Sequence, residues 1–154
     1  GGPSMAQDLR ATEGRMRILP IETQWASLAR EFPDEAIACW SGAAGDGPEP
    51  LMALADAIGR ADWPRAERIS ERMNWAQMPM FPGGSLERFM DYSIPIGRAR
   101  LEGSKLINAG PSRPPYRTAP EDYLEGGRET GRRWRALRSE FPFPSETRRD
   151  VAAE

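Results

Sequence analysis

Few residues of this 154-residue chain could carry out covalent chemistry, because it has no histidine, one lysine and one cysteine. Without histidine, Ser–His–Asp triads, most zinc sites and the usual neutral-pH proton shuttle are excluded. Lys105 is the only side-chain amine that could form a Schiff base, but it follows a polar stretch, so we interpret it as a solvated lysine at a helix end. Cys39 lies in an apolar run and is interpreted as a structural thiol. We predict no catalytic residue, no cofactor and no metal site.

A proline-rich segment, Asn108 to Tyr116, holds the strongest candidates for ligand contact. A rigid loop carrying Arg113 and Tyr116 could present a guanidinium and a phenol to a carboxylate. The same loop could simply connect two helices and dock on the core, and this structural interpretation is favoured because most such loops are connections. Arg113 and Tyr116 are therefore our candidates for contact with a substrate or a partner.

Charge and hydropathy exclude several other functions. The glycine-rich loop at residues 41–47 lacks the Gly-Lys-Ser/Thr ending of a phosphate-binding loop. The last helix is rich in arginine but equally rich in acids, and the whole chain has 21 basic and 23 acidic residues, so we predict no nucleic-acid partner. No apolar run approaches the roughly 18 residues of a membrane span, so no membrane partner is predicted. A single cysteine fits a reducing compartment, and a cytoplasmic location is expected.

Hydrophobic spacing predicts a mainly helical chain. Two helices are predicted to have an apolar face, formed by Ile21, Trp25, Leu28 and Phe32 in one and by Ala66, Ile69, Met73 and Ala76 in the other. Glu35 to Trp40, short and apolar between helix breakers, is the only credible strand. Asp62 and Ser85 are predicted helix N-caps, and Thr118 to Glu121 has the pattern of a capping box. We interpret residues 1–4 as a cloning scar, 5–141 as one domain and 142–154 as a disordered tail. The predicted helices cover residues 5–19, 21–32, 51–61, 62–76, 85–95, 96–107 and 120–139.

The stretch from Tyr92 to Tyr116, which ends in Ala-Gly-Pro-Ser-Arg-Pro-Pro-Tyr, resembles the C-terminal part of the dihydrodipicolinate synthase / N-acetylneuraminate lyase family. Residues 59–68 and 120–134 extend the resemblance on both sides, over about residues 15–140. It implies a class I aldolase fold, a (β/α)8 barrel with a helical extension, and pyruvate carbon–carbon chemistry through a lysine Schiff base. The family's glycine-rich Thr-Thr region, its Tyr-Asn-x-Pro strand and its Schiff-base lysine strand have no counterpart here, so no catalytic residue is carried over.

These features together predict a mainly α fold: the C-terminal portion of a (β/α)8 barrel plus its helical extension, with one or two short strands at most. One or two strands cannot close a barrel. The favoured hypothesis is therefore a subunit of a split lyase, inactive alone, whose partner chain supplies the N-terminal barrel half and the lysine. A non-catalytic helical interaction module and an excised part of a longer enzyme are the alternatives, and a homo-oligomer is left open.

Overall fold

The chain is mainly helical. The computed structural model describes residues 3–143, and α-helices account for most of them. Three short 3-10 turns, at Ala44–Asp46, Met78–Met80 and Pro82–Gly84, lie between the helices. The seven α-helices of this region are α1 (Pro3–Thr12), α2 (Glu22–Glu31), α3 (Glu49–Gly59), α4 (Trp63–Gln77), α5 (Leu86–Asp91), α6 (Ser93–Ser104) and α7 (Glu121–Glu140).

The predicted strand and the predicted barrel portion are both wrong for residues 3–143. Glu35 to Trp40 forms no strand, and its one sheet-like pairing is an isolated parallel bridge between Ile21 and Trp40. The N–H groups of Glu35 and Ala36 instead donate to the Phe32 carbonyl and complete the turn that follows α2. An apolar run becomes a strand only where a neighbouring strand offers a ladder of partners, and the described residues offer a single bridge.

Contacts among the described residues group them into two compact units. The first contains residues 3–42, 49–72 and 143, and the second contains residues 43–48 and 73–142. The boundary in sequence falls inside α4, between Arg72 and Met73. The single domain over residues 5–141 stays a prediction, and of the proposed tail only Pro142 and Phe143 lie within the described residues. Helix α1 begins at Pro3, inside the segment interpreted as a cloning scar.

In the first unit, apolar spacing predicted part of each buried face. Trp25 and Leu28 are buried as expected, whereas Ile21, on the same predicted face, is 41% exposed. The Trp25 indole N–H donates to the Ala36 carbonyl over 2.7 Å. The predicted face of α4 is also confirmed, since Ala66 and Ile69 are fully buried. Within the second unit, Met73 and Ala76 continue that face. A helix with this spacing gains stability by placing one stripe in the core.

Helix ends were predicted with mixed success. The carboxylate of Asp62 accepts from the Arg65 N–H (3.3 Å), and the Ser85 hydroxyl accepts from the Arg88 N–H (3.2 Å), so both N-caps are confirmed. The capping box at Thr118 is wrong, because α7 starts after Pro120 without a side-chain cap. None of the described helices has the length and apolar character needed to cross a membrane.

The second unit is built on a close crossing of α6 and α7. Three glycines line this crossing, Gly103 in α6 and Gly127 and Gly131 in α7, and each faces the backbone of the other helix. A Cβ on Gly127 would lie 2.6 Å from the Ile96 carbonyl oxygen. Only glycine leaves room for backbones at this separation. The crossing fixes α6, which forms one wall of the site described next.

Candidate functional site

The second unit contains an open cleft between α6 and the proline-rich loop, residues 108–117. Its volume of about 820 Å³ falls within the range of roughly 300–1,000 Å³ typical of small-molecule sites. The cleft brings together Arg113 and Tyr116, the two candidates chosen from the sequence, and adds two more arginines. Its lining residues are Ile94, Arg98, Ala109, Pro111, Ser112, Arg113, Pro114, Tyr116 and Arg117.

Arg98 of α6 holds the loop in place. One of its terminal nitrogens donates to the carbonyls of both Ala109 and Gly110. The Asn108 side-chain oxygen accepts from the Gly110 N–H over 3.2 Å, and Gly110 has a positive φ of 63°. A proline-rich loop has few N–H donors of its own, so a charged donor from the helix satisfies carbonyls that would otherwise need water.

The tip of the loop is a turn that sets the direction of its charged side chains. The Tyr116 N–H donates to the Arg113 carbonyl (2.9 Å), and the Pro114–Pro115 peptide bond is cis. This turn places Arg113, Tyr116 and Arg117 along the same cleft. Sequence reasoning missed Arg98 and Arg117. The sequence signal that could have identified Arg98 was an arginine on the helix before a proline-rich loop, because such a loop has carbonyl acceptors but few N–H donors.

The cleft carries an excess of positive charge. The side chains of Arg113 and Arg117 are exposed and have no hydrogen-bond or ion-pair partner among residues 3–143, and no carboxylate lines the cleft. A guanidinium without a carboxylate partner can bind a carboxylate or phosphate through two parallel N–H···O bonds. Tyr116 is 46% exposed, so its phenol can reach a ligand. The arrangement suits an organic anion with an apolar body, since Ile94 and two prolines supply apolar surface.

Three arginines of α7, Arg128, Arg132 and Arg133, differ from those of the cleft because each is paired with a carboxylate. Arg128 pairs with Glu121 (2.7 Å) and Glu125 (3.2 Å), and Arg133 pairs with Glu129 (2.8 Å). Hydrogen bonding to Arg132 and Arg128 lowers the pKa of Glu125. These ion pairs link arginines to the acidic residues that the sequence places on the same helix.

The second unit also contains a buried ion pair with a structural role. Asp46 is fully buried, and its carboxylate lies 2.7 Å from Arg100 Nε. Burial raises the pKa of Asp46, while the positive charge of Arg100 opposes that rise. Next to it, the Trp134 indole N–H donates to the Gly47 carbonyl over 2.9 Å. These contacts fasten residues 43–48 to α6 and α7.

The two potential nucleophiles lie outside the cleft. Lys105 is exposed at the C-cap of α6, with a left-handed φ of 54°. Cys39 belongs to the first unit, where burial and then the negative charge of Glu22 raise the pKa of its thiol to about 11. No cluster of three or more His, Cys, Asp or Glu side chains suited to a metal ion occurs in the described part of the chain.

Comparison with known proteins identifies hydratase-aldolases as relatives. No family model matches the sequence. The chain is 47% identical over 141 residues to the trans-2'-carboxybenzalpyruvate hydratase-aldolase of Nocardioides sp. (strain KP7), covering 92% of this chain and 42% of the relative. It is 38% identical to the trans-O-hydroxybenzylidenepyruvate hydratase-aldolase of Pseudomonas aeruginosa, covering 87% and 41%. A solved structure, described as PhdJ bound to substrate intermediate, superposes with a TM-score of 0.86 at 41% identity, covering 91% and 43%.

The chain thus spans about two fifths of the length of the curated relatives it matches. These relatives correct the resemblance drawn from the sequence, because they are hydratase-aldolases and not dihydrodipicolinate synthase or N-acetylneuraminate lyase proteins. They also overturn the split-subunit hypothesis and the alternative of a non-catalytic module, because both place the chain in the dihydrodipicolinate synthase family, whereas its relatives are hydratase-aldolases. The resemblance was right only in its general implication of a lyase, since hydratase-aldolases are lyases and the chain is similar to them.

Proposed function

We propose that this protein is a hydratase-aldolase that acts on aryl-substituted, unsaturated 2-oxo acids. In such a reaction water adds across the carbon–carbon double bond, with hydroxyl on the carbon next to the ring and hydrogen on its neighbour. The bond between those two carbons then breaks. The hydroxyl proton leaves, the aryl fragment departs as an aldehyde, and protonation of the three-carbon fragment gives pyruvate.

The single observation that carries this proposal is the 47% identity to trans-2'-carboxybenzalpyruvate hydratase-aldolase over 92% of the chain. The cleft provides independent support. Substrates of this class combine a carboxylate with a planar aryl group, and the cleft combines unpaired guanidiniums with apolar residues.

Within the proposed function, the cleft residues bind and orient the substrate. Arg113 is the residue that we assign to the carboxylate of the 2-oxo acid, and the Tyr116 phenol can donate to the same group or to the adjacent ketone. Arg98 is a positioning residue, because its guanidinium is occupied by the carbonyls of Ala109 and Gly110.

A turnover assay tests the proposal. The protein is mixed with trans-2'-carboxybenzalpyruvate or trans-o-hydroxybenzylidenepyruvate, and pyruvate is measured with lactate dehydrogenase and NADH. We expect pyruvate release, with kcat/KM reduced about 10- to 100-fold by Arg113→Gln, the loss of a charge-assisted pair of about 1.5–3 kcal/mol. Arg135→Gln is the matched control, since it removes an exposed arginine of α7 that does not line the cleft. Absence of pyruvate from both substrates would refute the proposal.

A further inference from the structure

The chain offers few nucleophilic side chains to an electrophile. All but one of its 21 basic side chains are arginines, and histidine is absent. A guanidinium stays protonated in proteins, so it does not attack a simple aldehyde. The Cys39 thiol is partly buried, and burial raises its pKa to about 11, so little of it is present as the reactive thiolate near pH 8. Lys105 is the one side-chain amine of the sequence.

The amine of Lys105 is accessible and has no partner. Lys105 is exposed at the C-cap of α6, in a left-handed backbone conformation with a φ of 54°. Its side chain makes no hydrogen bond or ion pair with any residue in the range 3–143. Glu102, one turn earlier, pairs with Arg128 (3.5 Å) instead. A small electrophile can therefore approach the Lys105 amine without displacing a carboxylate.

Two large apolar side chains follow this amine directly in the chain. Leu106 is 44% exposed, and Ile107 is 47% exposed. Both lie after the end of α6, in irregular backbone that leads to the proline-rich loop. An aromatic ring that contacts them is partly removed from water, which favours binding. An amine followed by two exposed apolar side chains suits an aryl compound whose carbonyl group is attached to the ring.

We infer that Lys105 is the side chain that an aryl aldehyde modifies in this protein, with the ring held against Leu106 and Ile107. The inference rests on the proposed function, whose reaction releases such an aldehyde. The Lys105 nitrogen attacks the aldehyde carbon, and a proton passes from nitrogen to the former carbonyl oxygen. Loss of water then leaves an imine, so the step is reversible and needs no oxidant or reductant. Because Lys105 does not line the cleft, the imine is a product adduct and not a catalytic intermediate.

Trapping with borohydride tests the inference without turnover, because the aldehyde is added directly. The protein is incubated with 2-hydroxybenzaldehyde at pH 8, and borohydride reduces the imine to a stable secondary amine. Peptide mass spectrometry locates the adduct and separates it from any adduct on the terminal amine. The yield at several aldehyde concentrations gives the equilibrium constant, with Nα-acetyl-lysine methylamide as reference. We expect the adduct on Lys105, with a constant about threefold to tenfold above that of the reference.

Variants then separate the amine from its apolar neighbours. Lys105→Arg keeps a positive charge at the end of α6 and should abolish the side-chain adduct. Leu106→Ser combined with Ile107→Ser should bring the constant to within about twofold of the reference. Leu86→Ser is the matched control, since it removes an exposed leucine from α5 and should leave the constant unchanged.

Three results would overturn the inference: no adduct on Lys105, a constant equal to that of the reference, or an unchanged constant in the double serine variant. Failure of the proposed function is distinguishable, because it appears as absent pyruvate release whether or not the added aldehyde modifies Lys105.

Discussion

Replacing Gly131 by alanine should strongly destabilise the second unit. In this helix interior, alanine would ordinarily raise stability by up to about 1 kcal/mol. Here, however, the added Cβ would overlap the Arg100 carbonyl oxygen and the Ser104 backbone nitrogen of α6. Both atoms belong to helical backbone, so no flexible side chain can move away, and α6 and α7 must separate. Overpacking costs about 1–3 kcal/mol, and we expect a value near the upper end, a net loss of about 2 kcal/mol.

Gly97 provides a matched control in the neighbouring helix. It lies inside α6, and a Cβ there would meet no atom within 4 Å, so Gly97→Ala should leave stability unchanged or raise it. Urea denaturation followed by circular dichroism gives the free energy of unfolding for both variants. If Gly131→Ala proved as stable as the wild-type protein, the close crossing of α6 and α7 would be refuted.

Three further predictions concern single side chains. Because burial raises the pKa of Cys39 to about 11, its alkylation at pH 8 should be roughly 200-fold slower than that of an ordinary thiol and should accelerate as pH rises. Arg98→Gln removes the donor to the Ala109 and Gly110 carbonyls, so hydrogen exchange should increase in the loop at residues 108–117 and remain unchanged in α7. Hydrogen bonding to Arg133 lowers the pKa of Glu129, so its stabilising contribution is present above the unfolded-state pKa of about 4.3 and is lost as pH falls through the lower folded-state value. Glu129→Gln should therefore reduce the loss of stability measured by denaturation between pH 5 and pH 3.

The sequence predicted those elements whose signal is local. The buried face of α4 followed from apolar residues spaced three and four apart, namely Ala66, Ile69, Met73 and Ala76. The N-caps at Asp62 and Ser85 also depend only on nearby residues. The loop at residues 108–117 was predicted to be irregular because its prolines and glycine oppose both helix and strand.

Features that depend on distant contacts were missed. Whether Glu35 to Trp40 becomes a strand depends on partners elsewhere in the chain, and the described residues provide one bridge. Gly103 is required for the approach of α7, a role that depends on a residue far along the chain, Arg128. The capping box at Thr118 failed because the chain enters α7 through Pro120.

The candidate site was predicted in part. Arg113 and Tyr116 do lie together in a cleft, but their role in ligand contact stays a prediction, as do the expectations of a partner chain and of no nucleic-acid binding. Arg98 and Arg117 escaped notice because their importance depends on how α6 and the loop meet. The contact between α6 and the loop cannot be derived from spacing along the sequence. It is seen only in the structure, for example in the hydrogen bond from Arg98 to the Ala109 carbonyl.

Product analysis by proton NMR tests the central claim, a hydratase-aldolase function, most directly. The protein is incubated with trans-2'-carboxybenzalpyruvate, and the signals of the alkene, the aryl aldehyde and pyruvate are followed over time. We predict that the alkene signals disappear while 2-carboxybenzaldehyde and pyruvate appear in equal amounts. An unchanged alkene, or hydration without formation of the aldehyde, would contradict the account.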